Sequence, residues 1–269
     1  MPMRNARSVT LVLTILLLIG CGAKRIERND SAEAMYQRAM DELQKKRGFP
    51  WIFSGTDYDT VLKLLKEIQL KYTFSPYATL AELRTADAYF KKGDFEQASI
   101  EYEDFIKRHP GHEQTPYAAF RLGLSHYKQM RSYDRDPTNT REAIKWFNSF
   151  LEQYPESPFK SEAEKMIQEC RERLAKREIY IGKFYASRKN HKAAAERYKV
   201  VVDQYANTKE HEEALFLLGT SYSKMGQNEL AKETLKRVIE EYPNAKYHKK
   251  AAELISKIEE KEKREAKKG

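Results

Sequence analysis

Two cysteines, one histidine pair and seventeen tyrosines carry most of the side chains in this sequence that could do chemistry. Cys21 closes a short apolar run, where a thiol can be alkylated through sulfur by a lipid. Cys170 stands in a stretch rich in helix formers, and with Cys21 modified it has no partner for an intramolecular disulfide. A buried, inert thiol is the expectation there. His109-Pro110-Gly111-His112-Glu113 comes nearest to a metal-ligand spacing, but Pro-Gly makes a turn, so a structural role is expected. The chain has no Gly-rich phosphate loop, no His-Glu-x-x-His, no Gly-x-Ser-x-Gly and no Cys-x-x-Cys. Acidic pairs abound, but nothing marks any of them as desolvated. A non-enzyme needing no cofactor and no metal is the reading these residues favour.

The N-terminus explains Cys21. Arg4 and Arg7 precede an apolar run, Val9 to Ile19, interrupted only by Thr10 and Thr14. Eleven helical residues measure about 16 Å, and a bilayer core of about 30 Å needs roughly 20. The run is too short to span and has the length of a signal-peptide core. Leu18-Ile19-Gly20-Cys21 then matches a bacterial lipobox: an aliphatic residue three before the cysteine, a small one beside it, and a thiol to carry diacylglycerol. Residues 1–20 are read as a lipoprotein signal peptide, Cys21 as the lipidated residue and 21–30 as a linker. Gly22, in place of Asp, favours outer-membrane sorting by enterobacterial rules.

Loss of residues 1–20 removes two arginines and no acid, so the net charge falls from +9 to +7. The remaining charges are interspersed, as on solvated helix faces. With export, this argues against nucleic acid as a partner and leaves anionic lipid or an acidic protein surface.

The elements that position these side chains repeat. Tyr72, His109, Tyr154, Tyr205 and Tyr242 close five similar segments at steps of 37, 45, 51 and 37 residues. Within them a small residue precedes an alanine or its equivalent by twelve: Ala86 and Ala98, Gly182 and Ala194, Gly219 and Ala231. Such spacing lets two antiparallel helices approach closely, with aromatics wedged between successive pairs and Pro110, Pro155 or Pro243 after the second helix. One pair cannot bury its apolar stripe alone, whereas a stack can. The expectation is an all-α, tetratricopeptide-type helical solenoid of five helix pairs. Most tyrosines should be core positions.

Three insertions break the period. Gly48 to Gly55 carries Phe49, Trp51 and Phe53 between the first two helices. Tyr133 to Thr140 is a polar loop, after which Thr140 or Thr138 could cap the next helix. Fourteen residues after Pro155 lack Gly and Pro beyond Pro158, so Lys160 to Ser187 reads as one helix of about 42 Å. It would join an N-terminal half, 31–157, holding repeats 1–3, to a C-terminal half, 158–258, holding the long helix and repeats 4–5. Residues 259–269 read as a charged tail, either frayed helix or disordered.

The most specific stretches resemble the BamD family of outer-membrane assembly lipoproteins. They are Tyr72-Thr73-Phe74-Ser75-Pro76-Tyr77, Phe105-Ile106-x-x-His109-Pro110-x-His112, Arg135-Asp136-x-Thr138-x-Thr140, Tyr154-Pro155-x-Ser157-x-Phe159, Arg173-Leu174-Ala175-x-x-Glu178 and Tyr185-x-x-Arg188. The chain departs from the family in its aromatic insertion and in Ala206, where a proline is usual. The resemblance implies a lipid-anchored, cofactor-free scaffold on the periplasmic face of the outer membrane. It implies that the N-terminal repeats receive unfolded outer-membrane proteins, and that the C-terminal repeats dock the periplasmic domains of BamA beside other assembly lipoproteins. Trp51, Phe53, Tyr77 and Tyr89 are the candidate client-binding residues, because an aromatic groove can bury the aromatic ends of such clients. Tyr185, Arg188 and Arg197 are the candidate docking residues. A cell-envelope adaptor for peptidoglycan enzymes or the Tol–Pal system is the alternative from a different class.

Overall fold

The computed structural model describes residues 30–44 and 56–267, which hold eleven α-helices and, among the described residues, no strand. Cys21, Trp51 and Phe53 lie outside them. The helices are α1 (Ala32–Gln44), α2 (Tyr58–Lys71), α3 (Pro76–Lys92), α4 (Phe95–Arg108), α5 (Thr115–Lys128), α6 (Thr138–Gln153), α7 (Lys160–Ser187), α8 (His191–Gln204), α9 (His211–Lys224), α10 (Asn228–Glu241) and α11 (His248–Ala266). Each packs chiefly on its neighbours in the chain, as in a solenoid. None of them is long and apolar enough to cross a membrane.

Small residues at matching positions set how closely each pair packs, whether twelve residues apart or further across an insertion. Gly123, Gly182 and Gly219 sit where a Cβ would meet the partner helix, 2.7 Å from Phe147, 2.3 Å from Tyr198 and 2.7 Å from Leu235. Opposite them Ala143, Ala194 and Ala231 are fully buried, as are Ala86 with Ala98 and Ala39 with Val61 in the pairs without such a glycine. The large side chains Tyr102, Phe147 and Tyr198 fill the space that these small residues leave.

The five closing residues are five copies of one helix stop. The N–H groups of Tyr72, His109, Tyr154, Tyr205 and Tyr242 donate to Ile68, Phe105, Phe150, Val201 and Val238. Their own carbonyls then accept from Ser75, His112, Ser157, Thr208 and Ala245, at 2.8–3.2 Å. Ala206 leaves this unchanged at Tyr205, so hydrogen bonding ends the helix and a following proline only reinforces the stop. Inside pairs two and five the turn passes through Gly93 and Gly226 at φ +89° and +76°. Lys189 occupies the matching turn of pair four at φ +61° without being glycine.

Helix starts follow local side-chain chemistry. Asp57, Ser75, Asp94 and Asn190 each accept a backbone N–H of the first turn. At α6 neither threonine is the cap. Asp136 accepts from the Thr138 N–H at 3.4 Å and its hydroxyl at 3.1 Å, while Thr140 is buried.

The long helix α7 has the expected bounds. Ala163 and Cys170 pack against α5 and α6, and Ala175 and Ile179 belong to the C-terminal core. Cys170 is buried with its Sγ 3.5 Å from Met130, and burial pushes its pKa up to about 12, so it is an inert thiol. Arg173 and Arg177 donate to the carbonyls of Arg131, Tyr133 and Arg135, which fastens the second insertion to α7.

Of the two forms expected for the tail, its described residues take the helical one. Helix α11 covers the open side of the fifth pair with Ala251 and Ile258 and continues to Ala266. An apolar stripe is absent beyond Ile258, but the segment is made of strong helix formers. Lys232 of α10 reaches Glu262 at 3.1 Å, with Lys261–Glu265 and Glu260–Arg264 pairs alongside.

Candidate functional site

The first helices of pairs one to three, α1, α3 and α5, share a face on which aromatic and charged side chains interlock. It begins at Tyr77 in the first turn of α3, whose ring lies 5.5 Å from that of Tyr36 on α1. The pKa of Tyr77 is raised, first by its hydrogen bond to Glu33. The Tyr36 hydroxyl accepts from Arg84 Nε at 3.3 Å, and Arg84 also reaches Gln114, just before α5, at 3.0 Å and Asp87 at 2.6 Å.

Asp87 is the hub. It is 5% exposed and accepts from Arg84, from the Tyr102 hydroxyl at 2.6 Å and from the Tyr117 hydroxyl at 2.8 Å. Arg121 donates to the Tyr102 oxygen at 3.1 Å and stacks 3.6 Å over Phe90. Burial, and then the Asp87 carboxylate, drive the Tyr102 pKa far above its usual value and that of Tyr117 to about 12. Both phenols therefore stay neutral donors. Burial of Arg84 disfavours its charge, but Asp87 more than offsets this and the pKa is raised. A buried carboxylate satisfied on several sides fixes the relative positions of the three repeats.

Past Tyr117 the face opens into a cleft of about 490 Å³ between the start of α5 and the turn from α6 to α7. Pro116, Tyr154, Pro155, Pro158 and Phe159 form its apolar wall, with Glu113, Gln114, Gln153, Glu156 and Ser157 around them. Phe159 stacks on Phe120 at 4.7 Å and stands 6.1 Å from Tyr117. A groove whose prolines and aromatics are flanked by polar side chains suits extended peptide better than a small polar substrate.

Of the expected client residues, Tyr77 and Tyr89 are not brought together. They stand twelve residues apart on α3, about 18 Å along its axis. Tyr77 packs with the first pair and Tyr89 with the core of the second. The sequence reading missed Asp87, Arg84, Arg121 and Tyr117. The available signal was an aspartate between two core alanines, Ala86 and Ala88, with an arginine three residues before it.

The docking candidates divide likewise. Arg188 caps the end of α7, its guanidinium 3.6 Å over Phe184. The Tyr185 carbonyl accepts from the N–H groups of Arg188 and Asn190, so Tyr185 holds the turn while its half-buried ring packs on the C-terminal core. Arg197 lies further along α8 and pairs with Glu178 of α7 at 3.3 Å. Glu178 is ten residues before Arg188, so the two arginines are about 15 Å apart along the pair.

His109 and His112 serve the turn between α4 and α5. His109 Nε2 is 2.7 Å from Glu82, and His112 Nδ1 accepts the Gln114 N–H at 3.1 Å. Among the described residues no three His, Cys, Asp or Glu side chains gather into a metal-binding group.

Comparison with known proteins gives consistent results. Outer membrane protein assembly factor BamD of Neisseria gonorrhoeae is 28% identical over 204 residues, covering 72% of this chain and 73% of that protein. The Haemophilus influenzae protein of the same name is 28% identical over 228 residues, covering 80% and 83%. The one from Vibrio cholerae is 26% identical over 215 residues, covering 76% and 85%. A family described as YfiO, outer membrane lipoprotein, matches residues 28–237, from before α1 into α10. The repeats, the long helix between them and this match across both halves place the chain in the YfiO family of outer membrane lipoproteins.

Proposed function

We propose that this protein is a non-enzymatic scaffold of the outer-membrane barrel-assembly machinery, anchored through Cys21 to the periplasmic face of the outer membrane. The observation that carries the proposal is the likeness to proteins named outer membrane protein assembly factors over 72–80% of the chain, which takes in both halves of the repeat stack. In this reading residues 31–157 receive unfolded outer-membrane proteins. Client segments lie along the face from Tyr77 past Arg84 and Arg121 to the Phe159 cleft, with Trp51 and Phe53 as further contacts and Tyr89 supporting the wall from the core. Residues 158–258 dock the periplasmic domains of BamA, and other assembly lipoproteins join the same complex. The work of such a scaffold is binding and orientation, for which side-chain chemistry suffices without a cofactor.

On the docking half, Arg197 is the anchor, Arg188 a neighbouring cation and Tyr185 the residue that shapes the turn. Arg197 is 44% exposed, and its pair with Glu178 uses one nitrogen of the fork, leaving donors for a partner carboxylate. Arg197→Ala is expected to weaken binding to soluble BamA periplasmic domains by about thirtyfold, or about 2 kcal/mol. Helicity is checked first and affinity is then measured at two salt concentrations. Wild-type affinity in the variant would leave Arg197 with only its intramolecular role, and a change confined to salt-dependent association would place it at the rim.

A further inference from the structure

The turn between α2 and α3 holds a phenylalanine out into solvent. Phe74 is fully exposed, and Leu70, in the last turn of α2, is 70% exposed. The turn that carries Phe74 is firmly built. The Ser75 N–H donates to the Tyr72 carbonyl at 2.8 Å, the Ser75 hydroxyl accepts from the Tyr77 N–H at 3.2 Å, and Pro76 opens α3. Tyr77, three residues on, packs its ring against Tyr36, whereas Phe74 is left outside the core.

A single exposed apolar side chain needs no explanation by itself. The place where the chain enters the stack supplies one here. The Tyr72 hydroxyl donates to the Asp30 carbonyl at 2.6 Å, and Arg38 pairs with the Asp30 carboxylate. The start of the stack is thereby fastened to the residue two before Phe74. Cys21 lies nine residues before Asp30, a tether of at most about 30 Å. Among the described residues, the other large apolar side chains that stand exposed, Ile100, Tyr133, Tyr180, Phe184 and Leu230, belong to later elements.

The charges near the turn agree with an anionic surface. Between Cys21 and Asp30 the chain carries Lys24, Arg25 and Arg28 against Glu27 alone, and basic residues beside a membrane are drawn to acidic headgroups. From Ile68 to Ala81 there is no acidic residue, so nothing within the turn itself opposes that approach. A lipid anchor also raises the local concentration of membrane around the turn, so a contact too weak to hold a free protein becomes populated.

We propose that the α2–α3 turn is a membrane-contact site, with Phe74 and Leu70 entering the headgroup and upper acyl region of the leaflet that holds the lipid on Cys21. The proposal rests on the reading of Cys21 as the anchor and adds a second point of attachment. Two points restrict the swivelling that a single tether allows, and so orient the first repeat against the surface.

The test supplies the anchor chemically. The mature chain is coupled through its Cys21 thiol to a maleimide-headgroup lipid in vesicles of phosphatidylethanolamine and phosphatidylglycerol, while Cys170 is buried and does not compete. p-Benzoylphenylalanine is placed at position 74 and, as a control, at position 91, which is exposed about 22 Å further along α3. Both positions are exposed, so the fold is kept, and unchanged helicity verifies this. After irradiation, intact-mass spectrometry is expected to show phospholipid adducts at 74 in at least tenfold the yield at 91. Equal yields at the two positions would overturn the proposal. So would the same probe at 74 in native envelopes reacting with polypeptide instead of lipid, which would assign the turn to a client or partner. Cellular lipidation of Cys21 is judged separately by fatty-acid labelling, so failure of the anchor and failure of the turn are told apart.

Discussion

Replacing Asp87 by alanine is expected to destabilise the N-terminal repeats by about 3 kcal/mol, enough to separate their unfolding from that of the C-terminal half. Asp87 is nearly buried and takes bonds from Arg84, Tyr102 and Tyr117. Its loss leaves the buried Tyr102 and half-buried Tyr117 hydroxyls without their acceptor and Arg84, 22% exposed, without its anion. Removing one member of such a network costs more than the network contributes in net stability, because the remaining groups stay desolvated. The residual exposure of Arg84 and its bond to Gln114 keep the cost below that of a fully buried pair. Asp87→Asn should lose less, since the amide oxygen still accepts from a phenol. Urea unfolding followed by circular dichroism would resolve the difference. A repeat stack is stabilised by nearest-neighbour interfaces, so an early transition confined to the first half is the expected signature. Equal stability of the alanine variant would show that the hub does not hold these repeats together.

Cys21→Ser is expected to abolish labelling by a fatty-acid probe and to release the protein from the membrane fraction. The run before Cys21 is too short to span a bilayer, and no helix among the described residues spans one either. In the proposed reading attachment falls to the lipid. A diacylglyceryl group with an N-acyl chain supplies several acyl chains, enough for stable anchoring where a single chain gives only marginal binding. Nine residues separate Cys21 from Asp30 and reach at most about 30 Å when extended. On the proposed anchor the first repeat would work close to the membrane surface. Undiminished labelling of the serine variant would contradict this account of the anchor.

The parts of the fold that were legible in the sequence are those fixed by local spacing. Gly182 and Ala194, or Gly219 and Ala231, show the close approach of two helices because a twelve-residue separation across one short turn puts them side by side. The five helix stops were visible as Tyr72, His109, Tyr154, Tyr205 and Tyr242, and the long helix as a stretch without breakers. The candidate site was less legible. Tyr77 and Tyr89 were joined because both are aromatic and near in sequence, yet their places on α3 send them into different cores. The hub at Asp87 gathers side chains from α3, α4 and α5, and which of them meet depends on the twist from one pair to the next, which no spacing within a repeat encodes. The α6 cap shows the same limit on a smaller scale: three polar residues, Asp136, Thr138 and Thr140, could each accept an N–H, and packing of Thr140 into the core leaves Asp136 to do so. Helix α11 escaped notice because its C-terminal part carries no apolar stripe and is held to α10 by charge.

The assembly role itself is tested most directly by purifying the full-length tagged chain from detergent-solubilised envelopes after mild crosslinking, and identifying its partners by mass spectrometry. The account predicts recovery of a large β-barrel protein, with crosslinks from its periplasmic domains to residues 158–258 and from other outer-membrane proteins to the face between Tyr77 and Phe159. Recovery of peptidoglycan hydrolases or Tol–Pal components without a β-barrel partner would contradict it and assign the scaffold to a different envelope complex.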